Sequence, residues 1–346
     1  MKVLIIGGTG FISGQIAEKA AAAGHDVVVF NRGLRNPSAP YDVINGDAKN
    51  LAAFKKDLLD AKPDVVVHCI AYNEKHAQAL VDVFEGTKAH VIALSSADCY
   101  EAFQRLNRGE DADQPVRETS ETSRTKHYLQ RMGMPDYDKN LMTDALLDAH
   151  RQGKIEATVF RVPMVYGPND PQYAYRHGNI IKHIVDGEKD LVLSATDQAQ
   201  MYTFGYVENV AAAVVHSFGL PQVKGQVYNL GDEDVRTQRR WAELYAENAG
   251  HEFKFRILPP EAMGGENAEP PHNFIMDTSK FRADTGFTDP IGLKEAIKRT
   301  HDWAVAHPEV LSKVPANYTA EKSVADAYDS LMQSTFQKPS PPAPGA

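Results

Sequence analysis

Cysteine is scarce in this chain: Cys69 and Cys99 are the only two in 346 residues. Each follows or ends an apolar run, which predicts buried thiols and excludes a disulfide framework or a zinc site of spaced cysteines. No metal site is expected. Long apolar runs are missing as well. None approaches the roughly 20 residues needed to cross a bilayer, and the amino-terminal apolar stretch is too short and too glycine-rich for a signal peptide. Together these absences predict a cytoplasmic chain with no membrane partner. Basic residues are outnumbered, 37 Lys and Arg against 46 Asp and Glu, for a net charge of −9. That balance argues against a general nucleic-acid binder, so no nucleic-acid partner is expected. Internal repeats are absent too. The closing QKPSPPAPGA cannot bury enough to order itself, and residues 336–346 are expected to form a disordered tail.

What is present begins at once. Residues 3–14, VLIIGGTGFISG, run four apolar residues into a glycine turn and then into a helix starting near Phe11. Gly7 and Gly10 leave the backbone bare, so phosphate oxygens can approach amide groups and the positive end of the following helix. The third place of the GxxGxxG spacing is Ser13, with Gly14 behind it; serine is small enough to keep helix and strand close. The strand before and the alanine-rich helix after (Ala17, Ala20 to Ala23) are the context that makes this a dinucleotide site rather than a plain strand-turn-helix.

Short β-branched runs then alternate with helical patterns: VVVF at 27–30, VVVH at 65–68, HVIAL at 90–94 and ATVFRV at 157–162. That rhythm predicts an α/β fold of βαβ units around a parallel sheet. Ala77, Leu80, Val81 and Phe84 recur at i, i+3, i+4 and i+7, the buried stripe of an amphipathic helix. A second such stripe runs from Val207 to Phe218, VYNLG at 227–231 reads as a further strand, and helices are expected near 239–249 and 292–306.

The pieces GGTGFIS (7–13), GD (46–47), SSADCY (95–100), FRVPMVYGP (160–168), FGYVENVA (204–211) and DTSKFRADTGF (277–287) occur in order. Over most of residues 1–306 the chain therefore resembles the extended and atypical short-chain dehydrogenase/reductase family, the nucleotide-sugar epimerases and dehydratases. The resemblance implies a Rossmann doubly wound parallel sheet over residues 1–167 with a returning segment 202–231. It also implies a smaller carboxyl-terminal substrate domain from 168–201 and 232–315. Its cofactor-binding positions fall on Gly7, Thr9, Gly10, Phe11, Ile12, Asn31, Arg32, Asp47, Ala71 and Pro163. Among these, Asp47 matches the aspartate that contacts adenine, although a Gly-Asp pair also simply makes turns. Ala71 matches the small residue beside which the cofactor ribose passes. Relatives commonly dimerise through two helices, so a homodimer is an expectation.

The end of the second strand bears on the coenzyme. An NAD site normally carries a carboxylate there, whereas this chain reads Phe30-Asn31-Arg32-Gly33. A 2′-phosphate repels a carboxylate and pairs with a guanidinium, so Arg32, with Arg35 in support, favours NADP over NAD. Arg32 as a plain surface cation is the alternative.

In relatives a tyrosine takes the proton of a carbinol hydroxyl, helped by a serine and by a lysine four residues on that lowers the phenol's pKa. Ser96, four before Tyr100, fits the serine. Tyr137 is the best match to the tyrosine, but four residues later stands Leu141. On a helix a four-residue step turns about 400° and returns to the same face, whereas the two-residue step to Lys139 turns about 200° and faces away. Lys139 can therefore serve only if Tyr137 precedes the helix proper. Asn140, Lys126 and His127 are further candidates for the missing partner. Asp98 stands where family dehydratases carry a proton-abstracting glutamate, with Ala97 in place of the partner aspartate; a loop cap is the alternative.

Substrate signals are sparse. The place of the arginine that grips the second phosphate of a sugar nucleotide holds Met201 and Tyr202, which argues against a UDP- or dTDP-sugar. Arg176, His177, Asn179, Arg239 and Arg240 could supply contacts or be surface residues. The expectation is an NADP-dependent oxidoreductase or epimerase-like enzyme acting on a hydroxyl or carbonyl of a small, sugar-derived molecule. Two alternatives stay open: a non-catalytic NADP(H)-binding regulatory module, and a lyase or isomerase that recycles its cofactor internally.

Overall fold

Six of the short runs, joined by the unforeseen segment DVIN, become the seven strands of one sheet in the computed structural model, which describes residues 1–34, 41–124, 130, 133–172, 176–263 and 273–336. They are β1 (Lys2–Ile6), β2 (Asp26–Asn31), β3 (Asp42–Asn45), β4 (Val65–His68), β5 (His90–Ser96), β6 (Glu156–Val162) and β7 (Val227–Asn229). All pairs are parallel, in the order β7-β6-β5-β4-β1-β2-β3. The order reverses between β1 and β4, and in such sheets the crevice beyond the strand ends at that switch is where ligands bind. The fold is thus the expected Rossmann-like α/β arrangement.

The uninterrupted apolar runs are explained by burial of both faces. Val3, Ile5, Val27 and Val29 pack with Ile16, Ala17 and Ala20 of α1 (Phe11–Ala22) and with Val207, Val210 and Val214 of a helix at Val207–His216. Their neighbours Leu4, Ile6, Val28 and Phe30 point the other way. There they meet α2 (Glu74–Phe84), through its expected stripe Ala77, Leu80, Val81 and Phe84, and α3 (Lys139–Arg151), through Met142, Leu146 and Ala149.

Two compact units emerge: residues 1–172, 201–236 and 272–303, and residues 173–200, 237–271 and 304–346. Residues 232–236 and 273–303, expected in the smaller domain, cluster instead with the sheet. The reason is aromatic: Phe281 sets its ring edge-on to Phe160 of β6 at 5.5 Å, and Tyr228 of β7 donates its hydroxyl proton to Asp284 at 2.9 Å. Within the smaller unit, strand Asp190–Ser194 pairs in parallel with Lys254–Leu258. A helix at Tyr318–Phe336, absent from the expectations, is held there by Arg256, which donates to Asp326 (3.1 Å) and Asp329 (2.6 Å). The tail beyond 336 lies outside the described residues. Among the described residues no helix is long and apolar enough to cross a membrane, and no group of three or more His, Cys, Asp or Glu could hold a metal ion.

Candidate active site

β1 ends at Ile6, and Gly7 turns the chain with φ +86°, a value that L side chains rarely adopt. A Cβ on Gly7 would also stand 3.3 Å from the Ile70 side chain, and one on Gly8 would press against Val29 at 2.9 Å. Ser13, buried in the first turn of α1, ties the glycine turn together: its hydroxyl donates to Gly7 O and accepts from Gly10 N–H at 2.9 Å. The first helical bond runs from Gly14 N–H to Gly10 O, so the amides of Phe11 and Ile12 precede the ladder at the positive end of α1.

A cavity of about 470 Å³ opens over this turn, lined by Gly7, Thr9, Gly10, Asn31, Arg32 and Asp47 of the expected set. That volume lies within the range of small-molecule sites. Asn31 Oδ1 accepts from Gly33 N–H at 2.6 Å, while its Nδ2 is buried without a hydrogen-bond partner among the described residues. The strand end thus offers a donor where an NAD site has an acceptor. Asp47 accepts from Lys49 N–H at 3.0 Å as a turn cap and also lines the cavity. Lys49, Ile70, Tyr72 and His76 also line the wall and were missed, although Lys49 stands two residues after the Gly-Asp pair and Ile70 and Tyr72 flank Ala71.

Ala71 differs from expectation. It is fully buried in the core beside α2, and its neighbours Ile70 and Tyr72 line the cavity instead. Phe11 and Ile12 lean on the core at the start of α1, so they can offer backbone rather than side chains. Pro163 is buried, and its ring limits the space at Gly205 and Gly231. Arg35, Lys126 and His127 lie outside the described residues.

At the end of β5 the chain brings Ser96, Asp98, Tyr137 and Lys139 together. Asp138 caps α3 by accepting from Leu141 N–H at 2.9 Å, so the helix starts at Lys139 and Tyr137 stands outside it. The condition under which Lys139 can serve is therefore met. Leu141, at the place of the family lysine, is 43% exposed. Lys139 points inward, donating to Leu94 O at 2.9 Å. Burial pulls its amine below the usual lysine range, against the attraction of Asp98. Asn140 is occupied structurally, donating to Cys99 O (3.0 Å) and Ser123 O (2.8 Å).

Tyr137 donates its hydroxyl proton to Asp98, 2.9 Å from Oδ2 and 3.1 Å from Oδ1, with Ser96 also bonded to the phenol. Ser96 Oγ further accepts from Asp98 N–H at 3.4 Å, so the serine also caps the turn that follows β5. Burial and the Asp98 charge push the Tyr137 phenol far above its ordinary range. That is the reverse of what a lysine-assisted tyrosine base requires. The group can pass a proton between a bound hydroxyl and a carboxylate, but it holds no standing phenolate.

His68, at the end of β4, is fully buried and held neutral, its pKa pushed down to about 3 by burial, His76 and Lys139. Of the substrate candidates, His177 is buried against Trp241 with its Nδ1 3.0 Å from Tyr245 OH, and Arg239 and Arg240 pair with Glu243. These are packing and surface roles.

The model of the NAD dependent epimerase/dehydratase family matches residues 3–231. The chain belongs to that family. This epimerase/dehydratase family member is 24% identical over 328 residues to the UDP-N-acetyl-alpha-D-glucosaminuronate decarboxylase of Bacillus cytotoxicus, covering 87% of this chain and 97% of that one. It is 22% identical over 351 residues to the UDP-glucose 4-epimerase of Lactobacillus helveticus, covering 89% and 98%. Among solved structures, the UDP-glucuronic acid 4-epimerase of Bacillus cereus, in complex with NAD, superposes with a TM-score of 0.67 at 16% identity, covering 88% of this chain and 99% of the other. At that identity the structural likeness shows the fold alone.

Proposed function

We propose that this family member binds NADP(H) and interconverts a hydroxyl and a carbonyl on a sugar-derived small molecule, as an oxidoreductase or epimerase. The observation that carries the reading is the Tyr137–Asp98 hydrogen bond beside Ser96 and Lys139. When bound, the coenzyme supplies or accepts the hydride. The glycine turn and the amides of Phe11 and Ile12 would hold its diphosphate. Asn31 Nδ2, Arg32 and Lys49 form a donor set suited to a 2′-phosphate.

The chain's own part is the proton. A substrate hydroxyl donates to the Tyr137 oxygen as the phenol's proton passes to Asp98, and the reverse sequence protonates a carbonyl oxygen. Asp98 thereby does the work that a lysine-lowered phenol does in relatives, which is why Leu141 is tolerated. Ser96 orients the phenol, and Lys139 keeps a positive charge facing the carboxylate. Met201 and Tyr202, in place of a phosphate-gripping arginine, favour a substrate other than a nucleoside diphosphate sugar.

The test is steady-state turnover of NADPH with a panel of carbonyl compounds and product detection. Tyr137→Phe and Asp98→Asn should each lower kcat by about 10²- to 10⁴-fold and leave NADPH affinity within a factor of two or so. Unaltered turnover in both variants overturns the assignment.

A further inference from the structure

We propose that the Tyr72 ring is a gate between the nucleotide cavity and the Asp98–Tyr137–Lys139 group. The inference rests on the nucleotide-binding reading above. One side of Tyr72 lines the cavity beside Ile70 and His76, and the cavity stops there: Ser96, Asp98, Tyr137 and Lys139 are not part of its wall. On the other side its ring lies 6.1 Å from the Tyr137 ring at 31°, and Lys139 Nζ stands 5.5 Å from its centroid. Asp98, Tyr137 and Lys139 are 6%, 5% and 7% exposed, and on the cavity side the Tyr72 ring is what stands between them and a bound molecule, while Ser96 beside the phenol is half-buried.

The backbone of Tyr72 is pinned from both sides. Its N–H donates to His76 Nδ1 at 3.0 Å, its carbonyl accepts from Asp138 N–H at 2.8 Å, and Ala71 before it is locked in the core. Asn73 after it caps α2 by accepting from His76 N–H at 3.1 Å. Loop displacement is therefore the costly route, and rotation of one aromatic side chain is the cheap one.

A dinucleotide has two halves, and only one needs the gate to open. The adenine half meets Gly7, Gly10, Arg32 and Asp47 in the cavity as it stands. The nicotinamide half must pass Tyr72. Turning the ring aside removes its contact with Tyr137 and uncovers the Lys139 ammonium, which has three donors and gives one to Leu94 O. The closed ring keeps that ammonium and the carboxylate dry until a coenzyme arrives.

The test compares a half ligand with a whole one by fluorescence titration. If the open form is about a tenth populated, removing the ring raises NADPH affinity about tenfold. Tyr72→Ala and Tyr72→Leu should both tighten NADPH binding by about that factor relative to 2′,5′-ADP, whose affinity reports any change in the shared cavity wall. Tyr72→Phe, which keeps the ring, should behave as the parent. An unchanged ratio of the two affinities in an alanine or leucine variant that still binds 2′,5′-ADP overturns the gate, an equal shift for both ligands included. If the parent binds NADH and ADP instead, the same comparison is read with that pair. Failure of the parent to bind any of the four overturns the nucleotide reading itself, and the gate with it.

Discussion

Two neighbouring regions of the sheet unit are built on opposite principles. The cavity over β1 and β2 is open and lined by glycine backbone, by Asn31, whose Nδ2 has no hydrogen-bond partner among the described residues, and by exposed Arg32. The group at the end of β5 is closed, and its charges are set against one another: Lys139 facing Asp98, and Asp98 accepting from Tyr137. Backbone donors and surface cations bind an anion without needing pKa tuning. Proton transfer needs a dry site, because low dielectric makes the carboxylate's influence on the phenol large. Recognition and chemistry should therefore fail separately.

The sharpest break of that comparison is at the turn. Gly7→Val forces a β-branched residue to φ +86° and drives its Cβ toward Ile70. Coenzyme affinity should fall by about a hundredfold or more, measured by titration, while the melting transition stays cooperative. A smaller loss is expected from Arg32→Ala. One charge-assisted contact is worth about 1.5–3 kcal/mol, so NADPH binding should weaken by about 10- to 100-fold with NADH binding hardly changed. Equal losses for both coenzymes would remove Arg32 from phosphate recognition.

Lys139 sharpens the comparison through pH. Its amine is lowered by burial, so the ammonium gives up its proton below the range of an ordinary lysine. The rate should fall on the alkaline side correspondingly early. In Lys139→Arg the guanidinium stays charged, and that alkaline fall should move to higher pH. The smallest effect belongs to Leu141→Lys. Restoring the family spacing on an exposed face should leave turnover unchanged and stability within about 0.5 kcal/mol.

How much of this was legible follows from how local each signal is. The glycine turn, its Ser13 and the parallel sheet are written in contiguous residues, and so was the stripe of α2. Strand β3, DVIN, escaped because it is an edge strand with mostly exposed side chains, and no apolar run marks it. The pairing of Tyr137 with Asp98 joins residues 39 apart and could only be guessed through the family pattern. The start of α3 was readable in principle: Asp138 ahead of a helical run is an N-cap signal, and it would have placed Tyr137 outside the helix. Tyr72 left no trace in the sequence, because its role comes from what the fold sets on either side of its ring.

The serine hydroxyl that ties Gly7 to Gly10 has a kinetic consequence. A glycine-rich segment left to itself samples many shapes, and a ligand that orders it gives up part of its affinity in doing so. Here the cross-tie is already present in the folded chain. On the proposed reading, a diphosphate arriving from solution would meet a surface already shaped for it, and docking of the first half of the coenzyme would approach the speed of encounter.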